Sequence, residues 1–134
     1  MAAYHWPVRV YWEDTDAGGV VYYANYLKFL ERARSEWLRS FGFEQDVLRD
    51  ETGVVFVVRR VEIDYLAPAR FNDQLDVAVS LHEAGRASFV VRQELMRGDT
   101  RLAGAIVTLA CVDAAQFKPV KIPAPLLQAL APAT

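Results

Sequence analysis

Residues 13–31 read E-D-T-D-A-G-G-V-V-Y-Y-A-N-Y-L-K-F-L-E, an acidic, glycine-bearing loop that runs straight into a helical pattern. Asp14, Thr15, Asp16, Gly18 and Gly19 are turn and cap residues crowded into a short stretch. From Tyr23 to Phe41 the apolar residues Tyr23, Tyr26, Leu27, Leu30, Ala33, Trp37, Leu38 and Phe41 recur at the spacing of one helical face, which predicts one long amphipathic helix. Gly42 stands where a left-handed C-terminal cap belongs, and Arg39 in the last turn suits the negative end of the dipole.

Upstream, Val8 to Trp12 alternates apolar and polar residues and predicts a short first strand. Downstream, a polar connection around Asp46 to Gly53 precedes a change of period from 3.6 to 2. Val61, Ile63 and Tyr65 alternate with Arg60, Glu62 and Asp64, and Leu75, Val77, Val79 and Leu81 alternate with Asp76, Ala78, Ser80 and His82. Gly85 with Arg86 suits a hairpin into Ala87 to Met96, and Gly98 with Asp99 another into Arg101 to Val112. Leu102 to Val112 is apolar on both faces, which predicts cover by a helix on one side and a partner subunit on the other. Pro119, Pro123 and Pro125 break the chain before a last helical turn at Leu126 to Leu130. Strand, long helix, then four strands is an α+β order in which the helix needs a curved antiparallel sheet to wrap it, the hot-dog arrangement. Periodicity alone also admits a cystatin-like or ferredoxin-like arrangement.

The 134 residues, 53% of them hydrophobic, predict a single domain over residues 1–134. A net charge of -2 lacks the basic footprint that neutralises phosphates, so no nucleic-acid partner is expected. The single cysteine, Cys111, excludes an internal disulfide. With no secretory pattern at the N-terminus and no long uncharged apolar run, the expectation is a cytoplasmic protein without stable membrane insertion.

Chemistry concentrates where the loop meets the helix. The first N–H groups of a helix lack intrahelical partners and carry the positive end of its dipole, so they can hold an oxyanion or a polarised carbonyl. Gly18 and Gly19 let a substrate approach the backbone, and Asp16 upstream can attack that carbonyl or activate a water beside it. One preorganised oxyanion donor is worth about 2.7–4 kcal/mol, and a well-placed general base about 2.7–5.5 kcal/mol. Against this stands a purely local role, because Asp and Thr before a helix are common caps and Gly-Gly a common turn. Metal ligation by Asp14 and Asp16 is weaker, since no His, Cys or further acidic cluster stands at ligand spacing. No serine has the G-x-S-x-G setting of a nucleophile elbow.

The stretch V-R-V-Y-W-E-D-T-D-A-G-G-V-V-Y-Y-A-N-Y-L-K-F-L-E-R-A-R from Val8, with F-V-V-R-R-V-E-I-D-Y-L-A-P-A-R at Phe56 to Arg70 and C-V-D-A-A-Q-F-K-P at Cys111 to Pro119, resembles the 4-hydroxybenzoyl-CoA thioesterase family, particularly its YbgC-like acyl-CoA thioesterase branch. The resemblance covers nearly the whole chain. It implies the hot-dog fold and cofactor-free hydrolysis of an acyl-CoA to a free acid and coenzyme A. It further implies Asp16 as the catalytic carboxylate and the backbone N–H of Tyr23, opening the helix, as the group that polarises the carbonyl. Many YbgC-like members carry histidine where this chain has Tyr23, whereas the 4-hydroxybenzoyl-CoA branch has tyrosine. A backbone donor survives that exchange and a side-chain acid does not, which favours an aryl or bulky acyl group. Gly19 and Tyr26 are the implied substrate neighbours. Glu31 matches a family glutamate and also fits a surface role beside Ser35. For the coenzyme phosphates the candidate cations are Arg59, Arg60 and Lys118, with Arg70 and Arg86 behind them. The family binds coenzyme A across a subunit boundary, so a homodimer or homotetramer is implied, with acyl-carrier protein as a further contact. The rival expectation is a non-catalytic hot-dog module that binds acyl-carrier or cell-envelope assembly proteins.

Overall fold

In strand β3 (Gln74–Ala84) Leu75, Val77, Val79 and Leu81 point into the core while their neighbours stay partly exposed, so the alternation read from sequence is the alternation observed. The computed structural model describes residues 3–130; the expected single domain over 1–134 reaches past them at both ends. The other elements are β1 (Tyr4–Arg9), a 3-10 turn at Trp12–Asp14, α1 (Asn25–Ser40), α2 (Gln45–Thr52), β2 (Val54–Tyr65), β4 (Ser88–Arg97), β5 (Thr100–Asp113) and α3 (Ala124–Leu130). The strands form one sheet in the order β1-β3-β4-β5-β2, and every pairing is antiparallel. Tyr26, Phe29, Leu30, Ala33, Trp37 and Leu38 of α1 are buried in the core that this sheet encloses. This is the α+β hot-dog architecture.

The helix stops as read: Gly42 takes φ 90° while its N–H donates to the Arg39 carbonyl and that of Phe43 to the Leu38 carbonyl. Its buried face differs from the predicted one. Tyr23 and Leu27 are exposed, and Phe29 and Arg34 are buried in their place. Arg34 is tolerated because its Nη1 donates to Gln93 Oε1 (3.0 Å), while Gln93 Nε2 donates to the Leu30 carbonyl (2.9 Å).

Two elements are corrected. The first strand is Tyr4–Arg9, not Val8 to Trp12; it lies at the sheet edge, where Pro7 costs no ladder bond that a neighbour needs. The connection after Asp46 is helical, ended by Gly53 at φ 72°, and escaped notice because only Leu48 of its eight residues is buried. In the last strand Val112 bridges Pro119 of the same chain, and Ile106 and Thr108 are half-buried. Among the described residues, no helix is long and apolar enough to cross a membrane.

Candidate active site

The acidic loop is a hairpin folded back on itself. Tyr22 N–H donates to the Asp14 carbonyl (3.0 Å), Thr15 bridges Val21, and Asp16 N–H donates to the Val20 carbonyl (2.9 Å). Gly19 N–H closes the turn onto the Asp16 carbonyl (3.1 Å), and Gly19 itself sits at φ 81°. A turn followed by one left-handed residue is a standard three-residue hairpin connection, so Gly19 is demanded by the backbone. Asp suits the first turn position because its side chain accepts an N–H two residues on, here from Gly18 to Oδ1 at 2.8 Å.

The two aspartates therefore part company. Asp14 is buried, its Oδ2 accepts the Tyr11 N–H (2.8 Å), and its carbonyl also takes Asn25 Nδ2–H (2.9 Å). Asp16 is exposed at the hairpin, and among the described residues no donor reaches its Oδ2. A free carboxylate oxygen on a braced turn is what a base or nucleophile needs.

Tyr23 does not open the helix. It lies in a turn two residues ahead of α1, whose N-cap is Ala24 with no side-chain cap. The reason is local: Asn25, Tyr26 and Leu27 donate their N–H groups back three residues, to the carbonyls of Tyr22 (2.8 Å), Tyr23 (3.3 Å) and Ala24 (3.2 Å). The donors without an acceptor among the described residues are thereby shifted to Tyr23 and Ala24. The peptide carbonyls behind both are hydrogen-bonded, which polarises the N–H at the other end of each peptide. Tyr65 contributes here, donating its phenol to the Tyr23 carbonyl at 3.2 Å. Burial, with the neighbouring Tyr23 and Tyr26, pushes the Tyr65 phenol up from its ordinary value, keeping the proton it donates. Its ring meets those of Tyr23 and Tyr26 edge-on, with centroids at 6.1 and 5.2 Å.

The remaining candidates disperse. The Tyr26 ring is in the core, 3% exposed, and its oxygen accepts the Ala69 N–H (2.9 Å). Arg59 occupies the bulge in β2, and Arg60 pairs with Glu62 at 2.8 Å. Tyr65 ends β2 beside the hairpin, whereas Lys118 lies past Asp113, the partner of Val54 at the far end, roughly 35 Å of strand away. Within one chain, Arg59, Arg60 and Lys118 are thus not gathered at Asp16. Arg70 is brought closer, its backbone bridging Val20, while Arg86 receives the Ile122 N–H at its carbonyl. Glu31 is exposed and accepts Ser35 Oγ–H at 3.4 Å. Sequence reasoning missed Tyr65, Asn25 and the segment 68–73, whose partners lie on other elements.

A helix wrapped by a five-stranded antiparallel sheet, entered through a carboxylate-bearing hairpin, defines a protein of the hot-dog class. The chain belongs to the thioesterase-like superfamily, whose family model matches residues 10–130. It is 48% identical over 120 residues to the acyl-CoA thioesterase YbgC of Haemophilus influenzae, a match covering 90% of this chain and 88% of that protein. Its fold is similar to that of a probable thioesterase from Bartonella henselae (TM-score 0.86, 36% identity, covering 91% of this chain and 100% of the other). It is also similar to Slr0204, a 1,4-dihydroxy-2-naphthoyl-CoA thioesterase from Synechocystis (TM-score 0.88, 25% identity, 96% of each chain).

Proposed function

We propose that the chain hydrolyses an acyl-CoA thioester to the free carboxylic acid and coenzyme A, with Asp16 as the reacting carboxylate and the N–H groups of Tyr23 and Ala24 as the donors that polarise the thioester carbonyl. The observation that carries this reading is one connection that bears an exposed carboxylate with an unbonded oxygen and ends on two N–H groups without acceptors among the described residues. Kinship with an acyl-CoA thioesterase at 48% identity supports the substrate. Water attacks the carbonyl carbon as Asp16 takes its proton, or Asp16 attacks directly and water then opens the anhydride. In both routes negative charge develops on the carbonyl oxygen, where fixed N–H dipoles act most strongly. A thiol is a far stronger acid than an alcohol or amine, about 8.5 for a cysteine side chain, so the coenzyme departs as thiolate without a side-chain acid at position 23.

Tyr22, Tyr23 and Tyr65, all exposed beside the helix start, support an aryl or bulky acyl group over a short aliphatic one. A homodimer or larger assembly fits the same reading. Strand β2, which carries Arg59 and Arg60, is a twelve-residue edge strand open to pairing with a second copy, which would bring that copy's cations toward a coenzyme bound at Asp16.

The test is thiol release from a panel of aryl- and alkyl-CoAs by wild type and Asp16→Ala. Loss of turnover by about 100- to 10,000-fold is expected on removal of the carboxylate. Full activity in the variant would sink the assignment. Oxygen-18 from labelled water appearing in Asp16 under single turnover marks the nucleophile route, in which water opens the anhydride at the aspartyl carbon.

A further inference from the structure

Arg97, the last residue of β4, directs one guanidinium nitrogen at both ends of a turn that belongs to a different part of the chain. Its Nη1 donates to the Pro68 carbonyl at 3.1 Å and to Asp73 Oδ2 at 2.8 Å. The same Asp73 oxygen accepts the Arg70 N–H at 2.9 Å, so the turn is cinched from inside and outside on one atom. That turn is the backbone against which the candidate active-site hairpin is laid. Ala69 accepts the Val21 N–H at 2.8 Å, Arg70 bridges Val20, and Val20 is the residue whose carbonyl receives the Asp16 N–H.

We infer that Arg97 is a positioning residue for Asp16, acting through the Pro68–Asp73 turn and its pairing with Val20 and Val21. Catalytic geometry is sensitive at this scale, because a displacement of about 1 Å originating far from the chemistry can cost about 100-fold in rate. The other ties of the hairpin lie at its base, on Asp14 and on buried Val21. Its tip is exposed, and Gly18 and Gly19 give it no side chain with which to pack. A second anchor, the Tyr26 oxygen on the Ala69 N–H, holds the turn to α1, and at its other end the Val10 N–H donates to the Asp73 carbonyl at 3.0 Å and the Asn72 N–H to the Val10 carbonyl at 2.9 Å. Arg97 adds the tie that joins the two ends to each other, one nitrogen shared by the Pro68 carbonyl and the Asp73 carboxylate. Arginine suits the position since its planar head reaches a carbonyl and a carboxylate together at fixed angles.

This rests on the reading of Asp16 as the reacting carboxylate, and two independent measurements separate failure of the one from failure of the other. The first is steady-state thiol release from an acyl-CoA by wild type, Arg97→Met and Arg97→Lys. Arg97→Met should lose about 10- to 100-fold in kcat with KM within about 3-fold, and Arg97→Lys, which restores a charged donor on a shorter stem, should recover most of the loss. The second is amide hydrogen exchange, which needs no turnover. The Val21 and Asp16 amides should exchange about 10-fold faster in Arg97→Met while those of Val77 and Val107 in the core strands keep wild-type protection. If wild type turns over no thioester, the functional reading fails and exchange at Val21 alone decides the inference. A folded Arg97→Met with kcat within 2-fold of an active wild type, or with unchanged exchange at Val21, overturns it. Should Arg97→Met not fold, Asp73→Asn, which keeps the shape and removes the charge, is held to the same criteria.

Discussion

The Gly18 N–H donates to Asp16 Oδ1 at 2.8 Å, so one oxygen of this exposed carboxylate is committed to its own turn, while the other accepts from no donor among the described residues. An asparagine at position 16 retains an oxygen for the Gly18 N–H but can neither take a proton from water nor attack a carbonyl. Asp16→Asn should therefore keep the wild-type melting temperature and lose turnover as completely as Asp16→Ala, by about 100-fold or more. Thermal melts beside thiol-release rates check this, and an active Asp16→Asn would assign the aspartate to the turn alone.

Gly18 and Gly19 should respond differently to alanine. A Cβ on Gly18 would sit 3.2 Å from Asp16 Oδ1, close enough to push the carboxylate aside by a few tenths of an ångström, while at Gly19 it meets open space but a left-handed backbone of φ 81°. Gly18→Ala should lower kcat with little change in stability. Gly19→Ala should cost about 1–2 kcal/mol of stability, read by denaturant titration.

Gln93 is wholly buried and accepts from Arg34, a guanidinium that burial pushes below its ordinary pKa. Gln93→Leu removes the acceptor while leaving the charge inside, and it should destabilise by about 2–4 kcal/mol. The double variant Arg34→Met with Gln93→Leu should be more stable than Gln93→Leu alone, because no polar group is then stranded. Urea unfolding of the three proteins gives the comparison.

Burial pushes the Asp73 carboxyl up, but the Arg70 N–H and the Arg97 guanidinium outweigh it and hold the group below its usual 3.8. A pKa depressed in the folded state contributes stability above the unfolded value and loses it as pH falls through the folded one. The melting-temperature advantage of wild type over Asp73→Asn should thus be constant between pH 7 and about 5.5 and shrink below about pH 4. An advantage that changes near neutrality would point to a different titrating group.

Cys111 is buried in β5, and burial pushes its thiol up to about 11. Only about one molecule in a thousand carries the thiolate at pH 8, so a disulfide reagent should leave the native protein untouched and titrate one thiol after unfolding. Rapid native labelling would show that the strand opens.

The stop of α1 at Gly42, the alternation of β3 and the hairpin at Gly98 were legible in the sequence, and so were the acidic loop and the family it resembles. Each depends on residues within a few positions of one another, where steric rules and periodicity act without help from the rest of the chain. The start of α1 was displaced by two residues because three N–H groups turned back to carbonyls three residues away, an outcome that composition does not encode. α2 was missed because a helix burying only Leu48 has no period to display. Which residues of α1 were buried depended on Gln93, fifty-nine positions from Arg34.

By itself, then, the chain's local pattern determined the α+β order of elements, the acidic loop that carries Asp16 and the glycine that turns the backbone beside it, and the family resemblance narrowed that order to the hot-dog fold. Only the tertiary structure decided that Asp14 is scaffolding and that Tyr65 backs the peptide after Tyr23. It also decided that Arg97 grips the turn on which the hairpin lies and that Arg59, Arg60 and Lys118 stand far from Asp16 in one chain. The physical reason is distance along the sequence: hydrogen bonds from Tyr65 to Tyr23 and from Arg97 to Asp73 join residues 42 and 24 positions apart, and only the register of β2 against β5 and β4 against β3 brings them within reach.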